Sequence, residues 1–172
     1  MSAFEKVNTT GQAGDLDALI AALNCDSRIK CASARLALVK RGQQAVPPLI
    51  NALKNGTDMV PMQAAKALGK IGGMQAVQAL VTALEDKRSE VRWAAAEALL
   101  EIGRDGVQPL LKALVENADS NLVREGAHHV FSEMEDVQMH AFLAPVVAAL
   151  DDGVPRLEAP LAAKKALDAL NA

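Results

Sequence analysis

Apolar residues recur along the chain in a six-residue phrase. It reads "ALIAAL" at 18–23, "PLINAL" at 48–53, "ALVTAL" at 79–84, "PLLKAL" at 109–114 and "PVVAAL" at 145–150, and the closing leucines stand 30, 31, 30 and 36 residues apart. Within each copy the large apolar side chains take positions two, three and six, a spacing that gathers them on one face of a helix. A short polar turn follows each of the first four phrases ("NCDS", "KNGTD", "EDKRSE", "ENADSN"), and then an alanine-rich segment such as "VPMQAAKALGKIGG" at 60–73 or "VRWAAAEALLEIGRDG" at 91–106. The predicted unit is a helical hairpin. Its copies run over about 15–42, 45–72, 76–103, 107–135 and 137–171, with residues 1–14 left as a short helix or a disordered segment.

Punctuation supports this division. Pro48, Pro109 and Pro145 open their phrases, where the first turn of a helix tolerates a residue without an amide proton. Gly42, Gly72 and Gly103 close the second helix of the first three copies, where the chain must leave the helix with positive φ. Ala64, Ala95 and Ala127 are small enough for neighbouring hairpins to approach closely. The expected fold is all-α: a single domain over 15–172, a right-handed α-solenoid of about five antiparallel hairpins.

The period, the "AL" pair in both helices and the "VRxAAAxAL" pattern of the second helix together resemble the HEAT-like repeats of the phycobilin-lyase type, over residues 15–171. The resemblance implies that the second helices line the concave face. On a helical wheel for 91–103, Val91, Ala95, Ala98, Leu99 and Ile102 share one face, so Trp93, Glu97 and Leu100 point the other way. The same positions hold Met62, Lys66 and Gly69 in copy two, and Glu125, His129 and Ser132 in copy four. Two columns result, Cys31–Met62–Trp93–Glu125 and Arg35–Lys66–Glu97–His129. Large rigid side chains supply most interface energy, so an outward Trp beside Met among charges suits a protein-binding surface. Met62, Lys66, Trp93, Glu97, Leu100, Glu125 and His129 are its candidate residues. Trp93 has a second reading, as a seal over the next hairpin, and Lys66 and Glu97 have one as a solvated, ion-paired face.

Composition narrows the function further. The chain of 172 residues has only three Phe and one Trp, no Tyr and 51% apolar residues, a balance that favours helices over strands. A formal charge of -3 with mixed signs provides no general attraction to phosphate backbones, so nucleic acid is not the expected partner. Apolar runs are too short for a membrane span, and "MSAFEKVNTT" lacks a signal-peptide pattern, so a cytoplasmic protein is expected. In that setting Cys25 and Cys31 are expected as two reduced thiols. The fifth copy departs from the others in its spacing and in Pro155, Pro160 and Asn171, as a terminal repeat should. A monomer is expected.

Enzymes with similar repeats provide specific comparisons. Deoxyhypusine hydroxylase resembles this chain in fold and binds two irons through His-Glu pairs at the starts of second helices. The matching positions here hold Met62-Gln63, Trp93-Ala94 and Glu125-Gly126, none of them such a pair. HEAT-like alkylpurine DNA glycosylases use a basic, aromatic-bearing groove, whereas this face has mixed charge and one aromatic. Adjacent His128 and His129 in "VREGAHHVFSEM" align with Ala96 and Glu97 of the previous copy, and neighbours on a helix diverge by about 100°, unsuited to holding one metal. The expectation is a non-catalytic protein-interaction module without a cofactor. The alternative is a phycobilin lyase-like chaperone or lyase subunit acting on a chromophore-bearing protein.

Overall fold

The computed structural model describes residues 15–25 and 27–172; the expectation for residues 1–14 lies outside them. Residues 15–21 are helical (α1), followed by α2 (Arg28–Lys40), a 3-10 turn at Gly42–Ala45, α3 (Val46–Asn55), α4 (Val60–Ile71), α5 (Met74–Ala83), α6 (Ser89–Ile102), α7 (Arg104–Glu116), α8 (Asn121–Ser132), α9 (Val137–Asp151) and α10 (Pro155–Leu170). No strand occurs among the described residues. First helices α3, α5 and α7 stack in one layer and second helices α2, α4, α6 and α8 in another, with the closest stacking between α4 and α6. This is an α-solenoid of helical hairpins.

The repeated phrase supplies the core between the layers. The closing leucines Leu23, Leu53, Leu84 and Leu114 are all buried, as are Ala64, Ala95 and Ala127 from the second layer. One fully buried leucine is favoured over an exposed one by about 1.5–3 kcal/mol, so a leucine at each repeat fixes the register of the stack. Gly69 was expected on the outward face, in line with Leu100. It is instead buried, and a Cβ built on it would lie 2.7 Å from Ala98 Cβ and 2.9 Å from Ala98 Cα. Glycine there lets the backbones of α4 and α6 come together.

Gly72 and Gly103 have φ of 68° and 72°, so the chain turns abruptly from each second helix into the next first helix. That turn delivers the backbone directly to Arg104, and α7 starts there, well before Pro109. The placement of the prolines at helix starts is therefore corrected. Pro47 and Pro48 fall in the first turn of α3, but Pro109 and Pro145 lie inside α7 and α9. For α9, the physical reason is its cap: the Asp136 carboxylate accepts from Gln138 N (3.1 Å) and Met139 N (3.0 Å), starting the helix eight residues before the proline.

The last hairpin departs from the stack. No glycine follows α8; "EMED" leads into α9, which lies against α8, while α10 lies mainly against α7 and α9. The two helices of this hairpin have thus exchanged layers. Gln108 near the start of α7 bonds Asn171 beyond the end of α10 (3.3 Å), and Arg156 at the start of α10 pairs with Asp119 beyond the end of α7 (2.5 Å), so α10 runs antiparallel to α7. Leu150, the fifth closing leucine, is only half-buried as a result. The helix that continues the second layer is α9, where the repeat register had placed α10.

Cys25 and Cys31 are joined in a disulfide, with Cα atoms 5.7 Å apart, rather than standing as two thiols. The turn between α1 and α2 folds residue 25 back onto the first turn of α2, at a separation normal for this bond. Cys31 is buried and so is not part of an exposed column.

Candidate functional site

Trp93 occupies the middle of the second-helix face and is 59% exposed. Its indole leans along the face onto the next repeat, where the His129 imidazole meets it with ring centroids 4.5 Å apart and planes tilted by 36°. His129 Nε2 in turn donates to Glu97 Oε1 at 2.7 Å. Trp93 thus contacts the next hairpin and still presents most of its surface to solvent. The contact joins two repeats through side chains one helical turn apart in register, because His129 aligns with Glu97 and Glu97 follows Trp93 by one turn.

Two adjoining recesses flank this Trp-His-Glu stack. The first, of about 520 Å³, has a mainly apolar lining that includes Met62, Leu84, Trp93, Ala94, Ala96 and Leu122, with Lys66, Ser89, Glu90, Arg92, Glu125 and His129 at its polar positions. The second, of about 560 Å³, is lined by Glu97, Leu100, Glu101, Arg104, Glu133, Met134, Glu135 and Asp136 among others. Lys66 lines both. All seven candidate residues therefore line one or the other, although Met62 and Leu100 are half-buried against the core. Arg35, by contrast, is turned to Gln63 Oε1 (2.6 Å), and His128 bonds Asp151 of α9 (2.8 Å).

Sequence reasoning missed Glu101, Leu122 and the α8–α9 linker residues Glu133, Met134, Glu135 and Asp136. Glu101 follows Glu97 by four positions, one helical turn, so its side chain was legible as a neighbour of the second column. The linker was legible only as the end of a repeat; it enters the recess because α9, replacing α10 in this layer, brings the chain across the face.

Electrostatics on this face are divided. Neither α2 nor α4 contains an acidic residue, whereas α6 holds Glu90, Glu97 and Glu101, and Glu125, Glu133, Glu135 and Asp136 follow in α8 and its linker. The arginines of the "VR" motifs keep their charge but are turned toward the helix starts, with Arg92 lining the first recess. Arg92 donates to the carbonyls of Asp86 (3.0 Å) and Lys87 (3.4 Å), and Arg124 donates to the Ala118 carbonyl and Asn121, so each guanidinium ties its helix start to the preceding turn. Lys70 pairs with Glu101, and Arg104 with Asp136. The Arg104 bond, with backbone amides of α9 helping, holds the Asp136 carboxyl down to about 2. Among the described residues, no cluster of three His, Cys, Asp or Glu side chains is placed to hold a metal ion. Nor is any described helix long and apolar enough to cross a membrane.

A family model of HEAT repeats matches residues 16–99, 46–132 and 77–164, successive matches beginning one repeat apart. The chain belongs to the HEAT-repeat family. Within this HEAT-repeat chain the matched range takes in every second helix from α2 to α8, and thus the whole of the Trp93 face. The match describes HEAT repeats in general and does not single out the phycobilin-lyase type. No curated protein matches the chain. HEAT repeats generally mediate protein–protein interaction or scaffolding, so a protein partner is consistent with the family.

Proposed function

We propose that this HEAT-repeat chain is a non-catalytic interaction module that grips a partner protein on the face formed by α4, α6 and α8. The observation that carries this reading is the exposed Trp93, held in place by His129 and Glu97 between two recesses. A large rigid side chain oriented by its neighbours loses little rotamer freedom on binding, which favours affinity. Met62 and Leu100 extend the apolar surface, and Lys66, Glu97 and Glu125 surround it with charge that selects among partners.

The test compares three forms of the purified chain as bait in native cell extract: wild type, Trp93→Ala and Gln78→Ala. Gln78 is exposed on α5, in the opposite layer. Proteins retained by wild type and by Gln78→Ala should be lost with Trp93→Ala, while the circular-dichroism spectrum of all three is the same. Equal retention by all three forms refutes the assignment of this face.

A further inference from the structure

Resting on the proposed role of this face, we infer that its partner is a basic segment of another protein that carries one large apolar side chain. The apolar residue sits against Trp93, Met62 and Leu122, and its Lys or Arg neighbours lie over Glu133 and Glu135.

Charge complementarity carries the choice. The second recess brings five carboxylates, Glu97, Glu101, Glu133, Glu135 and Asp136, against two cations, Lys66 and Arg104. Three of those carboxylates already have partners: Glu97 has His129, Glu101 has Lys70 and Asp136 has Arg104. Glu133 and Glu135 are exposed and make no ion pair among the described residues. Of the second-layer arginines, Arg92 lines the first recess and Arg124 does not line the second, and both donate to backbone carbonyls near the starts of their helices, away from Glu133 and Glu135. The uncompensated charge at this end of the face is therefore negative, beside a recess whose lining is mainly apolar.

The same pattern favours a direction. Lys66 on α4, which makes no ion pair among the described residues, and Arg35 on α2 disfavour a cationic segment on that side, so its basic residues lie toward the α8–α9 linker. Along α6, Trp93 and Glu101 are eight residues apart, about 12 Å at 1.5 Å per residue. Three or four residues of extended chain bridge that distance, at about 3.3 Å each. An acidic partner segment would meet like charge at one end of this path, and a purely apolar one would leave Glu133 and Glu135 unpaired.

A random dodecapeptide phage library panned against the full chain tests the inference, with enriched peptides remeasured by fluorescence anisotropy. Enriched sequences should pair one bulky apolar residue with Lys or Arg three or four positions away. The double variant Glu133→Gln/Glu135→Gln, altered only at exposed positions, should weaken their binding about fivefold to tenfold, and raised salt should weaken wild-type binding in parallel. Enrichment of acidic or uncharged peptides that still lose binding to Trp93→Ala overturns the basic character of the partner while leaving the face intact. Binding indifferent to both Trp93→Ala and the double variant overturns the inference and the assignment of the face together. Absence of any enriched peptide overturns the inference as well.

Discussion

Replacing Trp93 by alanine removes a side chain that is 59% exposed and touches the next repeat chiefly through His129. Truncating a fully buried large aromatic costs about 3–5 kcal/mol. Scaling that cost to the two-fifths of Trp93 out of solvent leaves about 1–2 kcal/mol, and the open side of the indole forms no closed cavity, which places the loss near the lower end. Aromatic stacking contributes about 0.5–1.5 kcal/mol and overlaps that figure. The expected destabilisation is therefore about 1 kcal/mol. Phe131, one repeat along and 0% exposed, is the internal standard, and Phe131→Ala should cost about 3–5 kcal/mol. Urea unfolding followed by circular dichroism at 222 nm measures both, and binding of a captured partner is measured on the same samples. Trp93→Ala should reduce binding at least tenfold while remaining well folded. If Trp93→Ala loses as much stability as Phe131→Ala, or if binding is unchanged, the indole is a structural seal and the argument from its exposure fails.

Three further outcomes follow from the packing and the ion pairs. Gly69→Ala gains about 1 kcal/mol in helix propensity but forces a Cβ into Ala98, an overpacking cost of about 1–3 kcal/mol; a net loss is expected in thermal unfolding, and a raised melting temperature would exclude the close α4–α6 approach. Arg88 ties its own turn to the previous one through two bonds to Asp86 (2.8 Å each) and one to the Gly56 carbonyl (3.0 Å), and its bond holds the Asp86 carboxyl below the usual range. Arg88→Ala should cost about 1–3 kcal/mol and raise the Asp86 titration midpoint in carboxyl NMR, whereas an unmoved midpoint would contradict the pairing. Asp136, held at about 2 first by Arg104, contributes stability that is fully present above the ordinary aspartate value of 3.8 and is lost as pH falls toward 2. Arg104→Ala should move its midpoint upward and begin the acid transition at higher pH; identical acid titrations of both forms would refute the link.

The sequence made the period, the buried leucines and the second-helix face legible because each is a local consequence of helical spacing. Leu53, Leu84 and Leu114 differ in sequence position by one repeat and do the same packing job. The start of α7 was less legible, since Pro109 fits a first turn by propensity, and only the Gly103 turn determines that the helix begins earlier. Exchange of α9 and α10 between layers was hidden for a related reason. "EMED" in place of a glycine closure marks the change, but which neighbour α10 chooses depends on long-range burial of Ala159, Ala163 and Ala166. At the candidate site the columns placed Trp93 and His129 on one face, while their stacking depends on the offset between repeats, which spacing along one helix does not specify. The Cys25–Cys31 bond was obscured because the expectation of thiols came from compartment, and the bond comes from the geometry of one turn.

The exchanged hairpin also sets where this architecture can be lengthened. A repeat of the ordinary kind joins its neighbours by parallel stacking of like helices, and α7 offers its flank to an antiparallel α10 instead. A hairpin joined after Leu170 would meet an α10 that runs antiparallel to α7. One inserted at Gly103, between α6 and α7, would meet the normal seam on both sides and carry the closing hairpin along unchanged. Repeats inserted there would leave the acidic α8–α9 linker joined to its own hairpin, however many repeats precede it.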